Sequence, residues 1–147
     1  MTSAFDLAQR YIGIKELAGP SHHPLIQWWL SLCGFDMDTP DEVPWCSAFL
    51  NGIAWELRLP RSKSAAARSW LGVGTPIPLD RAERGADVVV FWRGSRDATT
   101  GHVGFFAGFQ HEDANTVLVL GGNQSDGVRI DAFPVDRILG VRRLESS

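Results

Sequence analysis

The first half of the chain carries apolar residues at helical spacing in three stretches, which begin near Ser3, Pro24 and Cys46. Ser3 is a good N-cap, and Pro24 suits the first turn of a helix. The third stretch should end before Pro60, because the residue before a proline is disfavoured in a helix. The segment 64–71, SAAARSWL, predicts a short fourth helix.

From Asp87 onward the pattern changes to short runs of β-branched and aromatic residues separated by Gly, Asn and Asp. The runs are DVVVFW, HVGFFAGF, TVLVLGG, VRIDAFP and ILGVRRL. Strands that follow the helices, instead of alternating with them, predict an α+β fold. We expect N-terminal helices packed on a C-terminal antiparallel sheet of about five strands. Since no linker or repeat interrupts the pattern, residues 1–147 should form one domain.

Charge and composition exclude several classes of protein. The chain has 147 residues and a formal net charge of −3, which argues against a nucleic-acid partner. No apolar run approaches the roughly 18 residues of a membrane-spanning helix, and the N-terminus lacks the pattern of a secretory signal. We therefore expect a monomer made in the cytoplasm, with no membrane partner, that needs another system to deliver it if it acts outside.

Cys46 stands where the third helix should begin, directly after Pro44-Trp45. A helix N-terminus and a nearby imidazolium lower the pKa of a thiol, and the thiolate is the nucleophilic form. The alternative is a buried, inert cysteine, which is common for this residue type. Cys33, on the apolar face of the second helix, fits that alternative.

Two polar residues at strand ends complete a candidate set. His102 opens the apolar run GHVGFF between two glycines, and Asn123 ends another strand in GGNQSD. Alone, each has a structural explanation, His102 as a rim residue and Asn123 as a turn residue. Together with Cys46 they supply a nucleophile, a general base and a residue that orients the base.

The segments DEVPWCSAF, SAAARSW, DVVVFWRG, GHVGFF and LGGNQSD, in this order, resemble a bacterial and phage family of small cysteine hydrolases related to the CHAP and NlpC-type amidases and peptidases. The resemblance implies a papain-like fold in which the cysteine begins a helix that packs on the sheet. It also implies cleavage of an amide bond in peptidoglycan through a thioester. On the matching positions, Cys46 is the nucleophile, His102 the base and Asn123 the third member.

The same resemblance implies further roles. The backbone N–H of Cys46 is the expected first oxyanion donor, and the sequence does not identify a second one. Aromatic and polar side chains near the motifs are the expected substrate contacts; they are Trp45, Glu42, Trp70, Trp92 and Gln124. Glu42 has an alternative role as an acidic residue that favours the helix N-terminus. No metal or cofactor is expected, because His22 and His23 have no third ligand at metal spacing.

The remaining tryptophans and the C-terminal arginines give structural expectations. Trp28 and Trp29 are adjacent on one helix, so at least one of them should be partly exposed. Trp55 is expected in the core. Arg142 and Arg143 are expected as solvated charges on an edge strand.

The leading hypothesis is a peptidoglycan amidase or endopeptidase, in the setting of a phage endolysin or a delivered cell-wall toxin with a delivery or immunity protein as partner. Two alternatives stay open. One is an intracellular thiol peptidase or deamidase of the same fold, and the other is a catalytically idle module that binds the wall. Fold alone does not separate them, because function belongs to the site.

Overall fold

The computed structural model describes residues 2–17, 22–40 and 43–145, and within them helices precede an antiparallel sheet. The α-helices are α1 (Ala4–Gln9), α2 (Pro24–Ser31) and α3 (Cys46–Leu57), and 3₁₀ helices cover Ala67–Gly72, Leu79–Arg81 and Val135–Arg137. The strands are β1 (Thr75–Pro76), β2 (Asp87–Trp92), β3 (Gly101–Gln110), β4 (Asp113–Gln124), β5 (Gly127–Pro134) and β6 (Ile138–Arg143). Their spatial order is β1-β6-β2-β3-β4-β5. The predicted α+β class is confirmed.

The first two helices begin as their sequences predict. Ser3 and Asp6 form a capping box, in which the Asp6 N–H donates to Ser3 Oγ over 3.1 Å and the Ser3 N–H to Asp6 Oδ2 over 3.4 Å. In α2 the first residue is Pro24, and the Leu25 N–H donates to His23 Nδ1 over 3.1 Å. His23 therefore acts as an N-cap.

Helix α3 ends at Leu57, before Pro60 as predicted. Arg58 takes a left-handed conformation (φ 57°), and the Leu59 N–H donates to the Ala54 carbonyl over 2.9 Å, which closes the helix. The predicted fourth helix is shorter and tighter, a 3₁₀ helix over Ala67–Gly72. No helix in the described ranges is long and apolar enough to cross a membrane.

Strand β2 is buried on both faces of the sheet. Val88 and Val90 join the core beneath the helices, while Val89 and Phe91 join a second apolar cluster on the opposite face. Burial on both faces explains why the run VVVFW after Asp87 is continuously apolar instead of alternating. All five predicted strands are present, and the sixth, β1, has two residues and is too short to show a period.

The expectation for Arg142 and Arg143 is wrong, because β6 lies between β1 and β2 and is not an edge strand. Arg143 donates to buried Asp87 through Nε (2.7 Å to Oδ1) and Nη2 (2.9 Å to Oδ2). Arg142 donates to the carbonyls of Val73 and Gly74, both over 2.8 Å. Both guanidinium groups therefore fasten the segment before β1 and the start of β2 to β6.

The tryptophans of α2 and α3 divide between core and surface. Trp29 is fully buried and Trp28 only partly, which confirms the expected asymmetry. Trp55 is 51% exposed, so its expected core position is wrong. The core face of α3 runs through Phe49 and Ile53, and a residue two positions after Ile53 points to another side of the helix. Trp55 instead packs edge-to-face on Trp28, with ring centroids 5.3 Å apart.

The Asp87–Arg143 pair gives a prediction about stability. Asp87→Asn leaves the Arg143 guanidinium without its buried counter-charge, and we expect the free energy of unfolding to fall by about 2–4 kcal/mol in urea denaturation. Arg129→Gln is the control, because it breaks an exposed pair with Asp131 (2.9 Å) and should cost less than about 1 kcal/mol. Equal losses in the two variants would contradict the structural role of Asp87.

Candidate active site

Cys46 is the first residue of α3 and lines a cleft. Its side chain is buried, with 7% of the residue exposed. The N-cap residue, Trp45, offers no side-chain hydrogen bond to the helix. The first-turn N–H groups are therefore uncapped by it, and a helix N-terminus of this kind favours negative charge. The arrangement suits a thiolate and a second negative charge next to it.

The neighbours of Cys46 on both sides are fully buried. Trp45 stacks on Trp29, with ring centroids 5.8 Å apart, and its Nε1–H donates to Glu16 over 2.9 Å. On the other side, Ser47 Oγ accepts from Trp70 Nε1 over 2.8 Å and donates to the Ser64 carbonyl over 2.6 Å. The position of the thiol is thus set by the packing of the residues before and after it.

Asn51, one turn further along α3, holds the segment that forms one wall of the cleft. Its Oδ1 accepts from the backbone N–H of Lys63 over 2.8 Å, and its Nδ2 donates to the Ser47 carbonyl over 3.0 Å. Asn51 is fully buried, so its polar atoms need these partners. The wall at 65–67 is therefore fixed to the same helix that carries Cys46.

The cleft has a volume of about 450 Å³ and is lined by Pro44, Cys46, residues 65–67, Arg93 and residues 99–101. Sequence reasoning did not name Arg93 or the loop between β2 and β3. The signal was available, because the segment RGSRDATTG runs directly into the strand that carries His102.

Arg68 joins the two walls of the cleft. Its guanidinium donates to three carbonyls of the β2–β3 loop: Thr100 (2.8 Å), Arg96 (2.7 Å) and Ser95 (2.9 Å). Since Arg68 lies directly after the wall residues 65–67, these bonds hold the loop against that wall.

Opposing influences set the pKa of the Cys46 thiol. Burial raises the pKa and is the dominant cause. The backbone N–H groups of Val103, Ser47 and Cys46 lower it, and so does the positive charge of Arg93. The resting thiol is therefore protonated, although the groups that stabilise a thiolate already surround it.

His102 is buried near the start of β3, with 1% of the residue exposed. Its ring stacks on Phe133 with centroids 5.1 Å apart, and the ring of Phe91 lies 6.4 Å away. Burial lowers its pKa from 6.5 to about 4, although the hydrogen bond to Gln124 favours the charged form. The imidazole is therefore neutral at pH 7.

Gln124 holds the imidazole of His102. The side-chain Nε2 of Gln124 donates to the carbonyls of Val119 (3.2 Å) and Arg129 (2.8 Å). This orientation directs Oε1 at His102 Nε2, 2.8 Å away. Because Oε1 only accepts, His102 carries its proton on Nε2, and Nδ1 is the basic nitrogen. Gln124 is thus placed to position the imidazole instead of contacting substrate as predicted, because its Oε1 and Nε2 are both bonded to groups within the fold.

Asn123 does not take the position that the sequence assigns to it. The register of β3 with β4 pairs Phe105 with Leu120, and continued unchanged it would set Asn123 opposite His102. In the pairing of β4 with β5, a register shift between Gly121 and Gln124 adds one residue to β4, and Asn123 has a φ of 58°. The extra residue brings the next side chain, Gln124, to His102.

Gly121 provides the space for this contact. A Cβ at Gly121 would lie 2.4 Å from Gln124 Oε1 and 3.4 Å from His102 Nε2. A side chain there would displace the amide from the ring.

Cys46, at the start of α3, lies near the end of β3 that carries His102, but the two side chains share no direct hydrogen bond. Val103, whose N–H acts on the Cys46 sulfur, is the residue next to His102. No hydrogen bond between thiol and imidazole occurs within the ranges that the structure describes. Catalytic hydrogen bonds are often long without substrate and tighten when it binds.

The other predicted substrate contacts have different outcomes. Trp45 and Trp70 are fully buried, so neither is a surface for substrate. Trp92 is partly exposed, lies outside the cleft lining and packs under the Arg137 guanidinium, 5.2 Å from its ring centroid. Glu42 lies outside the described residues.

Neither Cys33 nor a cluster of metal ligands adds a second reactive site among the described residues. Burial raises the pKa of Cys33 to about 11, which makes it a poor nucleophile, as predicted. Among the described side chains, no group of three or more His, Cys, Asp and Glu is placed to hold a metal ion.

The fold resembles solved structures of NlpC/P60 proteins. NlpC1 from Trichomonas vaginalis matches 98% of this chain and 44% of its own length, with a TM-score of 0.58 and 17% identity. NlpC2 from the same organism matches 96% of this chain and 45% of its own length, with a TM-score of 0.56 and 18% identity. An NlpC/P60 family protein from Bacillus cereus matches 97% of this chain and 39% of its own length, with a TM-score of 0.51 and 15% identity.

The chain spans less than half the length of each of these proteins. No family model matches the chain, and no curated protein matches it. At such low identity the likeness concerns the fold, and the fold is that of the NlpC/P60 proteins.

Proposed function

We propose that the chain is a cysteine hydrolase that cleaves an amide bond in a peptide through a thioester. The observation that carries the proposal is the position of Cys46. It is a cleft-lining thiol at the first residue of a helix, next to the strand that presents a neutral imidazole held by Gln124. A nucleophile, a base and a residue that orients the base are the parts of a thiol hydrolase.

In this mechanism His102 Nδ1 takes the proton of Cys46 as the sulfur attacks the carbonyl carbon. The oxyanion is stabilised by the backbone N–H of Cys46 at the start of α3. The imidazolium then gives its proton to the leaving amine as the C–N bond breaks. Water, deprotonated by His102, hydrolyses the thioester and regenerates the thiol.

The proposed substrate is the peptide part of peptidoglycan. Two things support it: the resemblance of PWCSAF, GHVGFF and GGNQS to wall amidases and peptidases, and the NlpC/P60 fold. Residues 65–67, which line the cleft, are alanines, and their small side chains leave room for an extended peptide. A phage endolysin or a delivered cell-wall toxin is the setting that we propose for such an activity.

The first test is digestion of purified sacculi. We expect wild-type protein to release peptides that mass spectrometry assigns to one cleaved amide bond, and Cys46→Ala to release none. Cys33→Ala is the matched control and should retain activity, because Cys33 does not line the cleft. Equal release by Cys46→Ala and wild type would exclude the mechanism, and binding without any release would favour a wall-binding module.

A second test separates Gln124 from Asn123. Gln124→Ala should lower kcat by at least about tenfold, because the imidazole loses the partner that fixes its tautomer. ¹⁵N NMR should then show His102 as a mixture of tautomers, whereas the wild type is protonated on Nε2. Asn123→Gly is the control, since it removes the amide and tolerates the positive φ. A larger loss of kcat in Asn123→Gly than in Gln124→Ala would return the orienting role to Asn123.

The buried imidazole also predicts a pH dependence of stability. The pKa of His102 is about 4 in the folded chain and 6.5 when solvated, so between these values the unfolded chain binds more protons. The free energy of unfolding should therefore fall by about 3 kcal/mol as the pH falls from 6.5 to 4. Above pH 6.5 the stabilising contribution of the neutral imidazole should be fully present.

Denaturant unfolding of wild type and His102→Gln across pH 4–7 measures this contribution. The variant lacks the titrating group, so its stability should fall less steeply with acid. Arg93 and Asp131, the charged groups that act on His102, are present in both proteins. Parallel pH profiles would show that His102 does not titrate with a lowered pKa.

A further inference from the structure

Among the described residues that line the cleft beside Cys46, Arg93 is the charged one. The other described lining residues are neutral and mostly small. They are Pro44, Cys46, Ala65, Ala66, Ala67, Thr99, Thr100 and Gly101. A peptide that enters this described part of the cleft therefore meets the Arg93 cation among small apolar and hydroxyl-bearing residues.

The Arg93 guanidinium is exposed and makes no hydrogen bond or ion pair with any described residue. Other arginines of the fold are used differently. Arg68 donates to loop carbonyls, Arg142 to the Val73 and Gly74 carbonyls, and Arg143 to Asp87. Five N–H donors are therefore left at the edge of the cleft for a ligand.

The charge of Arg93 acts on both reactive groups. It lowers the pKa of the Cys46 thiol and also that of the His102 imidazole. Arg93 and Cys46 also line the same cleft, so an anion bound to Arg93 would lie in the cleft that contains the sulfur.

We infer that Arg93 is a specificity-determining residue that binds a carboxylate on a residue flanking the scissile amide. The inference rests on the proposed hydrolase function and names the substrate class, peptides with a free carboxylate beside the cleaved bond. A guanidinium matches a carboxylate with two parallel hydrogen bonds, and such charge-assisted bonds are stronger than neutral ones. A carboxamide at the same place accepts through one oxygen and carries no charge.

The first experiment uses two synthetic peptides that differ only in a flanking carboxylate or carboxamide. Wild type should prefer the carboxylate in kcat/KM, and Arg93→Gln should lower the preference by about tenfold or more. Arg93→Lys should restore part of it. Arg96→Gln, which removes an equal charge from the same loop outside the cleft lining, should keep it. An unchanged preference in Arg93→Gln overturns the inference.

The second experiment needs no hydrolysis. Cys46 is alkylated with iodoacetate, an anion, and with iodoacetamide, a neutral analogue, and the modified peptides are quantified by mass spectrometry. The rate with iodoacetate divided by the rate with iodoacetamide should be higher for Cys46 than for free cysteine. This rate ratio should fall by about threefold or more in Arg93→Gln, and it should also fall when salt is added. Arg96→Gln should keep the wild-type ratio.

The two experiments separate the two hypotheses. A ratio that is equal in wild type and Arg93→Gln, or that falls equally in Arg96→Gln, overturns anion binding at Arg93 whether or not the wall is cleaved. Absence of cleavage with an Arg93-dependent ratio overturns the hydrolase and keeps the anion site.

Discussion

The position of Cys46 depends on the burial of its two neighbours. Trp45 fills the space between α2 and the sheet, and Ser47 ties α3 to Trp70 and to the Ser64 carbonyl. Gly122 of β4 makes this possible, because a Cβ there would lie 2.6 Å from the Trp45 ring. The start of α3 is thus fixed by core packing, and the sheet adds the backbone N–H of Val103 in β3, which acts on the Cys46 sulfur.

Burial of the thiol and of the imidazole affects the two groups in opposite directions. It raises the pKa of Cys46 and lowers that of His102, so both are neutral at rest. The helix N-terminus and Arg93 favour the thiolate, but the site does not hold a preformed ion pair. The proposed mechanism therefore starts from a neutral thiol and a neutral imidazole.

The sequence predicts the architecture well because periodicity records which faces are buried. The starts of α1 and α2, the end of α3 and the five long strands all follow from caps, prolines and apolar runs. The periodicity of apolar residues does not indicate which other helix, strand or loop packs on a given face. The sequence therefore predicts Trp45 and Trp70 at the cleft, although both are completely buried.

That Gln124 contacts His102, where the sequence predicts Asn123, has a different origin. Alternation along β4 favours Asn123, and only the register shift after Gly121 brings the next residue to the imidazole. Asn123, within the shifted segment, has a positive φ, and Ser125 and Asp126 take positive φ values in the turn to β5. Asn and Asp tolerate that conformation, but their presence in GGNQSD does not specify which side chain faces inward.

Arg68 binds the loop over the cleft entirely through backbone carbonyls, at Ser95, Arg96 and Thr100. The hold of Arg68 on this loop is therefore independent of the side chains at Ser95, Arg96 and Thr100. A substitution at Thr99, which lines the cleft, can alter the chemistry there without removing these bonds. In natural or engineered variants, the chemistry of the cleft and the support of the loop would be separable traits, as long as Arg68 is retained.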